Sequence, residues 1–372
     1  MIPTPAEAAL AARIAEAREP VLVKGAGTKE GMLRPVQAAA TISTVNMSGI
    51  TLYAPKELII SAQAGTPLGE VEAALARHGQ HLIAEPRNFP GQTLGGAVAT
   101  NLSGPRRVAW GAMRDHVMGV RAVTGRGEVI HSGGRVLKNV TGLDLCKLLT
   151  GSHGTLAVIT EVTLKVLPMP EASGTIVIDD QDADAAVRTL SAALGSPYGV
   201  SAAAWLPGAP TKTLIRIEDF STSVKYRTEK LRAELGHPNA SILGGAASRD
   251  IWRDVRDVTP LPAASAIWRV SVRPSLGPAV LKAVPDTEGF LDWGGGLVWL
   301  AGDANETTHR AVEAAARDAG GTWMLMKAPD SLRNAVDVLP PEPAVLAAIT
   351  RRVKQAMDPR GILNPGRMYA GI

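Results

Sequence analysis

Residues 89–104 read FPGQTLGGAVATNLSG, a proline–glycine turn that runs directly into a helix start made of small residues. Small residues at such a start let a phosphate group approach the positive end of the helix dipole closely. The same residues would also suit close packing of the helix against a neighbour. The hydroxyl and amide groups of Thr93, Thr100, Asn101 and Ser103 favour a ligand over packing alone.

A second glycine-rich motif precedes it, VKGAGTK at residues 23–29, at the end of a short apolar run that predicts a strand. Closely spaced glycines let consecutive backbone N–H groups converge into a concavity that suits a diphosphate, which bulky side chains would block. The motif lacks the spacing of a P-loop, and no Gly-x-Gly-x-x-Gly opens a helix here. Taken alone, it could also be an ordinary glycine turn.

The third motif is a pair, KNVTGLDL at residues 138–145 and GSHGTLAVIT at residues 151–160. A glycine turn directly before an apolar strand can place backbone groups against a planar ligand. On its own, this pair favours a plain turn that leads into a core strand.

The periodicity along the chain predicts an α+β protein with three parts. A helix over 5–19, strands over 21–23, 40–45 and 57–62, a hairpin over 117–131 and a strand run over 156–167 precede the double proline at 168–170. Neither proline can donate to a strand ladder, so a boundary is expected there. Beyond it, strands and helices mix without nucleotide loops. We therefore predict domains at 1–170 and 171–340, with a helix and tail over 341–372 returning to the first domain.

The composition is that of an ordinary globular protein, with 372 residues, 45% hydrophobic and 20% charged, and a net charge of +4. Basic residues are scattered and aromatic residues are few, so no nucleic-acid partner is expected. The single cysteine excludes an internal disulfide, iron–sulfur clusters and thiolate zinc sites. No stretch reaches about 18 uncharged apolar residues, so no transmembrane segment is expected. The expected location is the cytoplasm, with any contact with the inner membrane made through partners.

Together and in this order, the motifs resemble the FAD-binding domain of the vanillyl-alcohol-oxidase superfamily, the p-cresol-methylhydroxylase (PCMH) type. The resemblance is strongest to the GlcE-like branch, whose members are glycolate oxidase subunits. The matching stretches are residues 25–29, 91–96, 110–115, 138–145, 151–160 and 358–366. This resemblance implies a PCMH-type two-lobed FAD-binding domain with an α+β cap domain.

The resemblance also implies which residues bind FAD. The pyrophosphate would be held by the loop Lys24, Gly25, Ala26, Gly27, Thr28 and Lys29, and then by Pro90, Gly91, Thr93, Leu94, Gly95 and Gly96, which would also line the flavin. The remaining implied residues are Asn101, Ser103 and Gly104 near the flavin or ribityl chain, Gly154 and Ile159 near the adenine half, and Asn364 from the tail.

Departures from the family pattern refine these expectations. Many relatives link FAD to a histidine just after the loop glycines, whereas Thr28 and Lys29 stand here, so non-covalent FAD is expected. The lactate and 2-hydroxyglutarate dehydrogenase relatives carry metal-ligating histidines that find no counterpart, so no metal is predicted. His78 and His81 are interpreted as a solvated turn, and His153 is the histidine beside the predicted cofactor residues. No catalytic base is identified.

The resemblance implies the FAD-carrying subunit of a glycolate (2-hydroxy acid) oxidase or dehydrogenase complex. Glycolate would be oxidised to glyoxylate, with electrons passing to a partner, and the partners would be a larger FAD subunit and an iron–sulfur subunit. One alternative is a non-catalytic scaffold or electron-relay subunit. Another is a self-sufficient FAD-dependent 2-hydroxy-acid dehydrogenase, in which Arg216, Arg269 and Arg273 could clamp a carboxylate. For these arginines a surface role is the competing interpretation.

Overall fold

The computed structural model describes residues 2–134 and 142–372. Residues 138–141, the first half of the motif at 138–145, therefore lie outside the described residues. Within the described residues, no helix is long and apolar enough to cross a bilayer.

The strands are short in the first half of the chain and longer in the second. In chain order they are β1 (Val21–Lys24), β2 (Ala40–Ser43), β3 (Ile50–Ala54), β4 (Ile59–Gln63), β5 (Gln80–His81), β6 (Val117–Thr124), β7 (Val129–Gly133), β8 (Ala157–Lys165), β9 (Leu167–Pro168), β10 (Ala172–Asp179), β11 (Val200–Leu206), β12 (Lys212–Asp219), β13 (Ser241–Gly244), β14 (Ala266–Ser271), β15 (Thr287–Asp292), β16 (Leu297–Gly302) and β17 (Thr322–Lys327).

The helices pack on the sheets or connect their strands. They are α1 (Pro5–Glu16), α2 (Leu68–Ala76), α3 (Leu94–Thr100), α4 (Arg107–Trp110), α5 (Met113–His116), α6 (Leu145–Leu149), α7 (Ala183–Leu194), α8 (Ser221–Glu234), α9 (Gly245–Asp257), α10 (Gly277–Ala283), α11 (Glu306–Asp318), α12 (Asp330–Ala335) and α13 (Ala344–Met357), with single 3₁₀ turns at Pro55–Glu57, Pro274–Leu276 and Trp293–Gly295.

The first lobe is built on a five-stranded antiparallel sheet in the order β3-β4-β8-β6-β7. Helices α2 and α3 bury Val71, Leu75 and Val98 against this sheet, where they form one core with Val162. The parallel pair β1–β2 lies beside it, and the tail joins β1 through a bridge between Val21 and Leu363. The predicted hairpin over 117–131 is confirmed as β6–β7.

The second lobe is an eight-stranded antiparallel sheet in the order β13-β10-β12-β11-β15-β16-β14-β17. Its core holds the fully buried Trp252, Trp268 and Phe290. The α+β class predicted for the chain is confirmed. The chain passes from one sheet to the other between Lys165 and Ala172, but the domain limits at 170 and 340 stay a prediction.

A buried cluster of two arginines and two glutamates joins the lobes. Arg216 on β12 donates two parallel bonds to Glu85 of the first lobe, from Nη1 to Oε1 at 3.1 Å and from Nη2 to Oε2 at 3.0 Å. Arg106 of the first lobe likewise clasps Glu218 on β12, with Nε to Oε2 at 3.1 Å and Nη2 to Oε1 at 2.7 Å. Each lobe therefore supplies one cation and one anion, which ties the lobes in one orientation.

Two sequence interpretations are wrong at this cluster. Arg216 has no surface role, since only 2% of it is exposed and its guanidinium also lies over the Trp252 ring. His81 is no solvated turn residue, because its Nδ1 lies 3.0 Å from Nη1 of Arg106. Burial, with Arg106 adding to it, lowers the pKa of His81 to about 4. The surface interpretation does fit Arg273, which is exposed.

Candidate cofactor site

A cleft opens in the first lobe, where three loops and the tail meet. The loop after β1 forms one wall, the start of α3 a second, and the turn before β8 a third. Asn364 and Arg367 of the tail close the fourth side.

Free backbone amides line the wall formed by the loop after β1. Within the described part of the chain, the N–H groups of residues 26–29 meet no hydrogen-bond acceptor. The loop itself is held in place, since Lys24 Nζ donates to Glu30 Oε1 at 2.7 Å and Ser43 Oγ to the Gly25 carbonyl at 3.1 Å. Four successive unpaired amides on a fixed loop suit an anion with several oxygens, such as a diphosphate.

Two glycines in the walls of the cleft, Gly25 after β1 and Gly154 before β8, admit no side chain. A Cβ on Gly25 would stand 2.3 Å from Thr93 Oγ1, and one on Gly154 would stand 2.9 Å from Asn364 Nδ2. Gly154 also has a φ of +72°, which side chains disfavour. At these two positions a neighbouring side chain approaches the backbone so closely that only glycine fits.

The start of α3 serves both packing and the cleft. Thr93 caps the helix, because its Oγ1 accepts from the Gly96 amide at 3.2 Å. Gly95 faces inward, where a Cβ would meet Ala64 Cβ at 2.6 Å, so its small size is required by packing. Gly96 faces the cleft. An added Cβ there would lie 3.1 Å from Thr93 Oγ1 and 4.0 Å from Lys29 Nζ. The packing interpretation of the small-residue run is confirmed at Gly95, while a ligand at Gly96 stays a prediction.

Asn364 fixes the tail to the cleft through its amide. Its Nδ2 donates to the carbonyls of Val23 at 3.0 Å and His153 at 2.9 Å, while its Oδ1 accepts from the Val23 amide at 2.7 Å. These bonds hold the end of β1 against the turn that precedes β8. The tail residue therefore shapes the cleft by joining two of its walls.

The charge inside the cleft is positive. Burial lowers the pKa of Lys29 to about 8 and that of Arg367 to about 10, which marks both as cations short of compensating charge. Lys29 Nζ donates to Gln92 Oε1 at 2.9 Å, and the Arg367 guanidinium bonds the carbonyls of Lys29 and Arg34. Burial, with these two cations adding to it, lowers the pKa of His153 to about 3, so this ring is neutral.

The structure brings twelve of the predicted cofactor residues together in the cleft, and six lie elsewhere. Those that line it are Lys24, Gly25, Ala26, Gly27, Thr28, Lys29, Thr93, Gly95, Gly96, Gly154, Ile159 and Asn364. Those that do not are Pro90, Gly91, Leu94, Asn101, Ser103 and Gly104. Arg367 also lines the cleft and was not predicted, although it directly follows the matching tail stretch 358–366.

Ser103 and Gly104 line a second, narrow cavity between the lobes, with room for about one water molecule. Arg269 on β14 faces this cavity, and the described part of the chain gives it no hydrogen bond or ion pair. Its guanidinium lies 4.9 Å from the centre of the Trp293 ring, and burial lowers its pKa to about 10. Asp292 faces the same cavity, and burial raises its pKa to about 7.

Phe89 stands between the two cavities. Lys29 of the cleft lies 4.8 Å from the centre of its ring, and Arg87 of the inter-lobe cavity lies 5.0 Å from it. The described residues that line the cleft include none from the eight-stranded sheet. Phe89 therefore contacts one lining residue of each cavity.

The comparisons with known proteins agree with this geometry. A family model described as an FAD binding domain matches residues 3–133. The solved structure of an alkyldihydroxyacetonephosphate synthase shares the fold, with a TM-score of 0.72 at 18% identity over 96% of this chain and 73% of that chain. The fold and the cleft thus define an FAD-dependent oxidoreductase with the PCMH-type fold, as the sequence predicted.

The full-length comparison is more specific. Glycolate oxidase subunit GlcE of Escherichia coli (strain K12) is 36% identical over 95% of this chain and 94% of its own length. This chain belongs to the GlcE family of glycolate oxidase subunits. Glycolate oxidase subunit GlcD of Bacillus subtilis (strain 168) is 30% identical over 55% of this chain and 43% of its own length.

The cleft fits the cofactor that the family model names. FAD carries a diphosphate, and the free amides of residues 26–29 together with Lys29 and Arg367 offer donors and positive charge to such a group. Gly25 and Gly154 leave room for close approach to the backbone. Which residue contacts which part of FAD stays a prediction.

Proposed function

We propose that this chain is the FAD-binding subunit of a glycolate oxidase complex that oxidises glycolate to glyoxylate and passes the electrons to a partner subunit. The observation that carries the proposal is the near full-length similarity to a glycolate oxidase subunit, combined with a cleft that fits a diphosphate. Bound FAD supplies the two-electron redox chemistry, and the protein supplies binding, orientation and electrostatics.

In this proposal the amides of residues 26–29 and the Lys29 ammonium hold the FAD diphosphate. The supporting observations are the four unpaired N–H groups and the buried, uncompensated cation beside them. Gly96, Gly154 and Ile159 line the rest of the cleft. Since neither Thr28 nor Lys29 is a histidine, FAD binds without a covalent bond.

The pH dependence of FAD affinity tests the role of Lys29. The pKa of Lys29 is lowered to about 8 in the FAD-free protein, so its charge is present below that pH and is lost above it. Negative phosphates favour the charged form, and FAD should therefore bind roughly tenfold more weakly at pH 9 than at pH 7. Equilibrium titration of the apoprotein with FAD at both pH values measures this.

Replacing Lys29 by methionine should weaken FAD binding at pH 7 and flatten this pH profile. Lys56→Met, at an exposed lysine in the turn before β4, is the matched control and should keep the wild-type profile. A Lys29→Met protein with the full wild-type pH dependence would contradict the assignment.

Substrate recognition is proposed for the inter-lobe cavity, which would have to widen to admit a 2-hydroxy acid, since it has room for only about one water molecule. Arg269 offers a cation without an ion partner, which suits the carboxylate of a small 2-hydroxy acid. Asp292, which faces the same cavity, has a pKa near neutrality and can exchange a proton with a bound hydroxyl group. No residue other than Asp292 is proposed as a catalytic acid or base.

Anaerobic addition of glycolate to the purified, FAD-loaded chain tests the proposed activity. Bleaching of the flavin absorption by glycolate alone would show that this chain oxidises the substrate. If dithionite bleaches the flavin and glycolate does not, oxidation takes place on a sister subunit and this chain relays electrons. The relay role has one structural observation in its favour: the cleft is lined by no described residue of the eight-stranded sheet.

Substituting Arg269 by methionine should lower kcat/KM for glycolate by about thirtyfold, mainly through a higher KM. The reason is the loss of about 2 kcal/mol from a hydrogen bond to a charged group. Arg273→Met, at an exposed arginine just beyond the same strand, should leave turnover unchanged. FAD content is the internal check, because neither side chain lines the cleft. If the two variants have equal kcat/KM for glycolate, the substrate does not bind in this cavity.

The partners proposed are a larger FAD subunit and an iron–sulfur subunit. The single cysteine leaves this chain unable to hold an iron–sulfur cluster, so electrons must leave through a partner or an external acceptor. Similarity to two different glycolate oxidase subunits supports a multi-subunit complex. We propose a cytoplasmic location, with any membrane contact made through partners.

A further inference from the structure

Gln92 joins the loop after β1 to the turn before α3 and does not itself line the cleft. Only 4% of it is exposed. Its Oε1 accepts from Lys29 Nζ at 2.9 Å, and its Nε2 donates to the Arg87 carbonyl at 2.9 Å. Turned over, the carboxamide would set a donor against the ammonium and an acceptor against the carbonyl. The Gln92 oxygen is therefore fixed towards Lys29.

The Lys29 ammonium takes its direction from two contacts. In the described part of the chain, the Gln92 oxygen is the single hydrogen-bond acceptor within its reach. The Phe89 ring adds a cation–π contact, with Nζ 4.8 Å from the ring centre. A lysine side chain otherwise has wide rotamer freedom, which it loses when it binds a phosphate. Holding the ammonium in advance reduces that loss.

The acceptor that Gln92 offers is neutral, so it directs the ammonium without neutralising it. The other charged or titratable groups around Lys29 are Arg367 of the tail, His153 before β8, Arg87 across the Phe89 ring, and Glu30, which is paired with Lys24. Of these, only Glu30 can carry negative charge, and its carboxylate is already engaged. A carboxylate in place of the Gln92 carboxamide would instead pair with Lys29 and take up the charge that a diphosphate needs.

We propose that Gln92 is a positioning residue for the FAD diphosphate, because it holds the Lys29 ammonium at the cleft and leaves its charge free for the phosphates. The inference deepens the proposed function, since it rests on Lys29 as a ligand of the diphosphate. Gln92 acts through Lys29 and does not touch FAD. A glutamine that served packing alone would contribute to stability and leave the pH dependence of FAD binding unchanged, so this pH dependence separates the two roles.

Titration of the apoprotein with FAD from pH 6 to pH 9 tests the inference on two variants. Gln92→Met removes the acceptor and frees the Lys29 side chain, so FAD should bind roughly tenfold more weakly at pH 7. Loss of the acceptor also lowers the pKa of Lys29 further, since a hydrogen bond to the charged form is gone. The fall in FAD affinity should therefore begin at a lower pH than in the wild type.

Gln92→Glu should have the opposite effect on the pH profile. Its carboxylate pairs with Lys29 and raises the pKa of Lys29, so the ammonium stays charged through pH 9. FAD should bind roughly tenfold more weakly than to the wild type at pH 7, because the new charge repels the phosphates. Between pH 7 and pH 9, however, the affinity should change by less than about twofold. Carbon-13 NMR of the methylated lysines in the apoprotein measures the pKa of Lys29 directly.

Gln80→Met is the matched control. Gln80 is also a buried glutamine of the first lobe, with 7% of it exposed. Its Oε1 accepts from Tyr53 Oη at 2.9 Å and its Nε2 donates to the Pro55 carbonyl at 2.8 Å, so it makes the same number of side-chain bonds as Gln92. Urea unfolding should show a comparable loss of stability for Gln80→Met, while its FAD affinity and pH profile should equal the wild type.

The results that would overturn the inference are specific. One is a Gln92→Met protein that binds FAD within threefold of the wild type at pH 7. Another is a variant of Gln92 whose affinity falls by the same factor at every pH, which is the result of a packing role. If Gln92→Met does not fold, the near-isosteric Gln92→Glu decides by its pH profile and its Lys29 pKa.

Failure of the proposed function would look different. If Lys29→Met binds FAD as the wild type does, Lys29 is no ligand of the diphosphate, and the inference about Gln92 falls with it. If glycolate does not bleach the bound flavin, only the proposed activity of this chain is lost. The inference about Gln92 then stands, because it is measured by FAD binding and by the pKa of Lys29.

Discussion

A chain with valine in place of Gly25 should fold and should bind FAD about a thousandfold more weakly than the wild type. The first added carbon would stand 2.3 Å from Thr93 Oγ1, well inside any acceptable contact. Thr93 cannot turn away easily, because it is buried, β-branched and caps Gly96. The loop must therefore shift, which would displace the amides of residues 26–29 from the diphosphate. Losing two such charge-assisted bonds costs about 4 kcal/mol.

Gly31→Val is the matched control for this prediction. Gly31 lies in the same loop, its φ needs no glycine, and a Cβ there meets nothing within 4 Å. FAD titration with fluorescence detection measures both variants, and circular dichroism checks their folding. If Gly25→Val and Gly31→Val bind FAD equally well, the loop does not hold the cofactor.

Replacing Arg216 by methionine should destabilise the folded chain by about 4 kcal/mol. The substitution leaves Glu85 and Glu218 buried with only Arg106 to balance them, and an unbalanced buried charge costs roughly 3–5 kcal/mol. Urea unfolding measures the free energy directly. Arg253→Met removes the exposed ion pair with Asp250, in which both side chains are 58% exposed, and should change stability by less than about 1 kcal/mol.

The same cluster predicts a loss of stability in acid. Burial acts to raise the pKa of Glu218, but Arg216 and Arg106 outweigh it and lower the pKa to about 2. Because the folded-state pKa lies below the unfolded one, this stabilisation is present above about pH 4.5 and disappears as the pH falls towards 2. Arg216→Met should flatten that part of the pH–stability curve. An unchanged pH–stability curve would mean that the cluster contributes little to the free energy of unfolding.

The sequence predicted the local elements that carry strong periodic patterns. The strand over 21–23 is confirmed as part of β1, and the strand run over 156–167 before the double proline is confirmed as β8 and β9. The glycine motifs predicted a cleft lined by the loop after β1 and the start of α3, because a missing side chain at a turn leaves a direct signal in the sequence.

Elements with weak patterns were missed. The strand β15 contains Gly289, which reads as a break, yet a Cβ there would stand 2.3 Å from the Trp299 carbonyl. The sheet needs a glycine at that point for close packing. The double glycine at 244–245 likewise indicated a turn and concealed β13 and α9, which meet there.

Side chains whose partners are distant in the sequence could not be assigned either. Arg216 and Glu85 are 131 residues apart, so nothing near Arg216 distinguishes it from a surface arginine. Arg367 lines the cleft in a tail that Leu363 and Asn364 join to β1, about 340 residues away in the sequence. Such contacts arise from tertiary structure, which local patterns do not record.

The absorption spectrum of the purified chain, followed by that of the filtrate after acid denaturation, tests the central claim most directly. We predict a flavin spectrum in the native protein and release of all FAD into the filtrate, because the cleft holds the cofactor without a covalent bond. A folded, colourless chain that takes up no added FAD would contradict the account. Colour that stays with the denatured protein would contradict the non-covalent binding.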